Sequence, residues 1–130
     1  MAKEITKIRN KNLNVRKRKL FIDLVSPKYL ESLKHTIKDA IRNKKVIEFN
    51  YDGHHRIAEP HVHGISNGNY EIETYQLAGG SNRGGIPDWR RIIGVKITTL
   101  QVTEQRFKGR RPNTSGKHTP FDEIFDIVDP

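Results

Sequence analysis

Apolar positions along the chain change their period once, at about Lys45. Upstream, Leu30, Leu33, Ile37, Ala40 and Ile41 are spaced as i, i+3, i+7, i+10 and i+11, which draws one apolar stripe on a helix. Ser26 suits an N-cap and Pro27 a first helical residue, so the spacing predicts a helix from Pro27 to about Lys44. Arg42, Lys44 and Lys45 stand near its C-terminus, where the helix dipole favours cations. Downstream the period is two. Ile47, Phe49 and Tyr51 alternate with Glu48 and Asn50, Asp52-Gly53 offers a hairpin turn, and His55–Glu59 continues as the partner strand. Pro60 is expected to end that strand or to place it at an edge. His61–Ser66 reads as a further short strand, Asn67-Gly68 as a second turn, and Tyr70, Ile72, Thr74 and Gln76 alternate with Glu71, Glu73, Tyr75 and Leu77. Four glycines and a proline between Ala78 and Asp88 predict a long loop at a hairpin tip. Trp89–Val95 and Ile97–Val102 read as two more strands, with a break near Gly94 or Lys96. Phe121–Val128 reads as one or two helical turns that pack Phe121, Ile124 and Phe125.

One helix is thus followed by five or six short strands without a second helix among them. Parallel strands need crossover connections, and none is present, so the order favours a mainly β chain with an N-terminal helix and a small antiparallel barrel. The 130 residues are one domain's worth of chain. No apolar run is long enough to span a bilayer, and the first residues lack the apolar stretch of a signal peptide. Cysteine is absent, which excludes disulfides, thiolate metal sites and cysteine nucleophiles and suits a reducing, cytoplasmic setting.

Charge divides the chain more sharply than hydropathy does. Residues 1–20 carry a net +7, residues 21–105 a net +1, residues 106–118 a net +5 and residues 119–130 a net −4, within a total of +9. The expected organisation is therefore a basic arm (1–25), a barrel with its leading helix (26–112) and an acidic tail (113–130). Residues 1–20 fit no sustained period, so a weak helix or disorder is expected there. A basic arm is either a solvated end or a polyanion contact.

Four of the six histidines, His54, His55, His61 and His63, fall within ten residues. His61 and His63, two apart on one strand, are expected to face the same side, the geometry a strand offers to a metal or to acid–base chemistry on a phosphodiester. Only Glu59 is near enough to complete a metal set, so the residues favour a polar strand face with no metal and no cofactor. Gly79–Gly85 is not a P-loop, because no Gly-Lys-Ser/Thr follows it, although Arg83 at its centre offers an anion contact. Aromatic and basic residues interleave in the strands: Tyr51, Arg56, Tyr70, Tyr75, Trp89, Arg90 and Arg91. Small barrels that bind nucleic acid use this mixture, rings stacking on bases while arginine neutralises phosphate. Alternation assigns Tyr51 and Trp89 to the core and leaves Tyr75 the better exposed ring.

The segments Ile37–Ile41, Val46–Tyr51 and Arg56–Pro60 together resemble the opening of a WYL domain: a helix ending in Ala-Ile, a strand ending in Tyr and a partner strand ending in Pro. Gly68–Ile72, Trp89-Arg90 and Lys96–Phe107 resemble its later strands. Tyr70-Glu71-Ile72 stands where the family has Trp-Tyr-Leu, and Ile93 stands where an arginine is common. The resemblance implies an SH3-like, Sm-like β-barrel that binds a ligand, often nucleic acid or a nucleotide. Such barrels frequently follow a winged helix-turn-helix in bacterial transcription regulators, and some serve CRISPR and other phage-defence systems. This sequence resembles a standalone member, with no groove-reading helix pair. The expected function is a non-enzymatic, ligand-binding regulatory module for single-stranded nucleic acid or a nucleotide. Arg56, Arg90 and Lys96 are expected to contact phosphate, with Trp89 beside them, Tyr75 to stack on a base, and His61 and Gln76 to offer hydrogen bonds. A protein-interaction or homo-oligomerising accessory, possible because barrel edges can self-pair, is the alternative, and a His-dependent nuclease ranks behind it. No membrane partner is expected.

Overall fold

The computed structural model describes residues 27–112 and 118–130. The expected N-cap at Ser26 and the basic arm of residues 1–25 lie outside the described residues. The chain divides into two compact units, Met1–Leu33 and Lys34–Pro130, and of the first only residues 27–33 are described, as helical turns.

Helix α1 (Pro27–Arg42) stops two residues short of the predicted end, at the turn made by Asn43 and Lys44. Ile37, Ala40 and Ile41 are fully buried along the predicted stripe. The Lys34 ammonium lies over the Tyr70 and Phe125 rings, and Arg42 pairs with Asp126.

Six antiparallel strands follow: β1 (Lys45–Tyr51), β2 (His54–Ser66), β3 (Asn69–Gly79), β4 (Asp88–Ile93), β5 (Thr98–Arg106) and β6 (Glu123–Ile127). A single 3-10 turn, Gly94–Lys96, fills the predicted break between β4 and β5. The order across the sheet is β4-β3-β2-β1-β5, with β6 also paired to β2. No ladder joins β4 to β5 among the described residues, so the sheet is open and does not close into the expected barrel. Val46, Ile47, Phe49, Ala58, Ile72, Ile92 and Ile97 form the buried core. Both tight turns match the sequence: Asp52-Gly53 and Asn67-Gly68 have φ of 50° and 77°, and 51° and 79°, the left-handed pairs that let a two-residue loop follow the twist of its strands.

Two expectations are corrected. Pro60 does not end its strand, since β2 runs unbroken through it for 13 residues. The proline sits at a bulge, where β2 shifts register against β3 between Pro60 and Val62, and beyond Ala58, the last residue paired to β1. β6 takes up pairing only at Val62, so the missing N–H interrupts no continuous ladder. The tail forms a strand instead of helical turns. The half of β2 that extends past β1 leaves its backbone groups unpaired, and β6 satisfies them, a tertiary demand that outweighs local preference. Gly64 makes this approach possible, because a Cβ there would stand 1.9 Å from the Glu123 carbonyl oxygen.

Candidate anion-binding site

Directly opposed residues of an antiparallel pair share a face, so the register decides which side chains meet. Arg56 opposes Phe49, Ala58 opposes Gln76, Gln76 opposes Asp88 and Thr74 opposes Arg90. Arg56, Gln76 and Arg90 therefore rise from the face that also carries Phe49 and Ile92. All three are buried, Arg56 and Arg90 to 4% and 5% exposure.

The two guanidinium groups are held differently. Arg90 donates from Nη1 to Asp88 Oδ2 at 3.3 Å and to the Trp89 carbonyl at 2.9 Å, and from Nη2 to Ser81 Oγ and the Gly84 carbonyl. Arg56 Nη1 reaches Gln76 Oε1 at 3.4 Å, and its guanidinium lies 5.0 Å from the centre of the Tyr51 ring. The Nε atoms of both arginines are buried without a hydrogen-bond partner among the described residues. Burial pushes the Arg56 pKa below the ordinary arginine value; Asp52 and Tyr51 oppose the shift, while Arg90 and Arg83 add to it.

The loop between β3 and β4 roofs this end of the sheet. Gln76 Nε2 donates to the carbonyls of Ala78 and Gly80 at 3.1 and 3.0 Å, and His54 Nε2 donates to Asn82 Oδ1 at 2.9 Å. Beneath it lies a cavity of about 430 Å³ whose lining includes Tyr51, Asp52, Arg56, Ser81, Arg83 and Arg90. An adjoining groove shares Tyr51 and Asp52 and brings in Lys96 at the rim. Lys96 pairs with Asp52 at 3.5 Å and lies 5.3 Å from the Tyr51 ring centre. Five cations, Arg56, Arg83, Arg90, Arg91 and Lys96, thus line the cavity and its adjoining groove; Lys96 pairs with Asp52, Arg90 with Asp88, and Arg91 with Glu71 and Glu73. Such a recess suits an anion with several acceptor oxygens.

The other sequence-predicted residues lie on the opposite face. Glu59 opposes Tyr75, and Tyr75 opposes Trp89, which gathers these side chains outside the Arg56 cavity. Trp89 is half-buried there, contacting Tyr75 and His61 edge-on at ring-centre distances of 5.4 and 4.9 Å, rather than joining the core. Arg111 covers the Tyr75 ring at 3.7 Å, so one face of the expected stacking platform is already occupied. His61 donates from Nε2 to Glu59 Oε1 at 3.0 Å, and Arg111 grips the same carboxylate with Nε and Nη2 at 2.9 and 2.8 Å. Burial alone would raise the Glu59 pKa, but the bonds from His61 and Arg111 win and hold it below the usual carboxylate value.

His61 and His63 do not share a side. The bulge at residue 61 turns His61 toward Trp89 and Phe107, while His63 accepts from the Tyr70 hydroxyl at Nδ1 and donates from Nε2 to Asp126. The acid–base or metal pair expected from their spacing is therefore not assembled, and no group of three His, Asp or Glu among the described residues is placed to hold a metal ion. Reasoning from sequence placed Tyr51 in the core without its contacts to Arg56 and Lys96, and did not find Arg111. Arg83 was visible in its Gly-rich loop. Arg111, 52 residues from Glu59, has no local signal.

No family model matches the chain, and neither a curated protein nor a solved structure is significantly similar to it. Among the described residues no helix is long and apolar enough to cross a membrane.

Proposed function

We propose that the chain is a non-enzymatic binding module that seats a phosphate group of a nucleotide or of single-stranded nucleic acid in the recess formed by Arg56, Arg90 and Arg83. The same proposal takes it as a relative of the WYL domains it resembles, its open sheet a variant of their SH3-like, Sm-like barrel. The leading helix and the consecutive antiparallel strands support that kinship. The reading of the site rests chiefly on Arg56, a cation 4% exposed that lines the cavity, makes one side-chain hydrogen bond among the described residues, to Gln76, and whose carboxylate neighbour, Asp52, is engaged by Lys96. Leaving donors of a buried charge unpaired is costly, and an oxyanion supplies both the countercharge and the acceptors.

Charge in residues 1–20 and 106–118 would add long-range attraction, with selectivity left to the recess. Titration of labelled single-stranded RNA and DNA by fluorescence anisotropy at rising salt tests the reading. The logarithm of the affinity falls linearly with the logarithm of the salt concentration if phosphates are neutralised. Salt-independent binding, or none at micromolar protein, rejects it.

A regulatory accessory that pairs with its own copy has separate support. Strand β5 ends the sheet, and all nine of its residues are exposed or half-exposed, Val102 among them. An open edge of that length is a template for another strand. Light scattering across a concentration series distinguishes a dimer from a monomer.

A further inference from the structure

We infer that the Arg56 recess is selective for a terminal phosphate monoester, at the end of a nucleic-acid strand or on a mononucleotide, over the phosphodiesters inside a strand. The inference rests on the function proposed above and adds a ligand class to it.

Access carries the first part of the argument. Arg56 and Arg90 are each at least nine-tenths buried, under a roof that is pinned at several points. Gln76 ties the roof at Ala78 and Gly80, His54 ties it at Asn82, and Arg90 ties it at Ser81 and Gly84. An internal phosphodiester carries a sugar on each side and must lie along a surface. A monoester carries one substituent and can enter end-on, its sugar left toward solvent on the side of the exposed Arg83. The cavity, at about 430 Å³, is within the usual range for small-ligand sites, which starts near ~300 Å³.

Charge and donor count carry the second part. A monoester bears a charge of about −1.5 to −2 near neutral pH and offers three terminal oxygens, where a diester bears one charge and offers two. The recess presents Arg56 and Arg83, neither in an ion pair among the described residues, so two positive charges there lack a countercharge of their own. The dianion matches that excess, and the monoanion leaves part of it uncompensated.

The test compares one short oligothymidylate, labelled internally, in three forms: 5′-phosphorylated, 3′-phosphorylated and unphosphorylated. Thymidine monophosphate and inorganic phosphate serve as competitors. The expected result is at least about tenfold tighter binding of a phosphorylated form, competed by thymidine monophosphate, with the favoured end identified by comparing the two phosphorylated strands. Arg56→Gln removes that preference and leaves binding at the level of the unphosphorylated strand. Its fold is checked by circular dichroism, and Arg83→Gln at the mouth gives a second variant whose exposed side chain is outside the packed sheet. Equal, salt-dependent binding of all three strands overturns the end selectivity while leaving phosphate binding intact. Absence of binding by every strand and both competitors overturns both readings. A preference that persists in folded Arg56→Gln and in Arg83→Gln overturns the assignment to this recess.

Discussion

Lowering the pH should loosen the fold through His63. Its ring is 1% exposed, between Tyr70 of β3 and Asp126 of β6, with Lys34 and Lys38 of α1 also acting on it. Burial pushes its pKa below the ordinary 6.5; Asp126 opposes that shift, and the two lysines reinforce it. The folded protein therefore keeps the ring neutral at a pH where the unfolded chain has begun to bind the proton. Stability attributable to His63 is complete above the unfolded pKa and drains as pH falls from there toward the folded one. For a single proton the slope reaches at most about 1.4 kcal/mol per pH unit. Urea unfolding followed by the fluorescence of Trp89, the chain's sole tryptophan, measures it from about pH 7.5 to about pH 5. The same series on His63→Phe isolates the effect, because the remaining histidines are common to both. His63→Phe also leaves the buried Tyr70 hydroxyl without its acceptor, at a cost of about 1–3 kcal/mol near neutral pH. Glu59, held below its ordinary 4.5, loses stability only in a more acidic window. A difference between the two proteins that stays constant across the series refutes the reasoning.

Other outcomes follow from named contacts. Gly64→Ala drives a Cβ into the Glu123 carbonyl and should detach β6, seen as faster amide exchange over residues 123–127 and a stability loss of about 2 kcal/mol or more. Unchanged exchange there would disprove the close approach. Glu59→Gln weakens the shared grip of His61 and Arg111 and should cost about 1–3 kcal/mol in urea unfolding, with the Arg56 recess and its phosphate affinity unaffected. Arg56→Gln should leave stability unchanged or improved, since it removes a buried and incompletely partnered cation, while anisotropy records at least about a tenfold loss of affinity for phosphate ligands. A chain beginning at Leu20 should show a shallower dependence of affinity on salt, because the +7 of residues 1–20 is gone.

Much of the fold was legible because its signals are local. The change from a 3.6-residue to a two-residue period at Lys45 separates α1 from β1, and Asp-Gly and Asn-Gly mark the two hairpins. The acidic tail was misread because Glu123–Ile127 takes its strand conformation from an unpaired stretch of β2 about sixty residues away. The site was legible in part. Arg56, Gln76, Arg90 and Lys96 come together at one end of the sheet, whereas His61, Tyr75 and Trp89 come together on its other face.

What the sequence determined by itself was the set of elements, their turns and the division of charge between ends and body, all properties of neighbouring residues. Which side chains meet was decided by tertiary structure. One extra residue at the bulge separates His61 from His63, and ladder registers set Arg56 beside the chain's own core. The physical reason is that strand side chains alternate with a period of two, so a one-residue shift in pairing reverses every face beyond it, and pairing is settled only when distant strands meet.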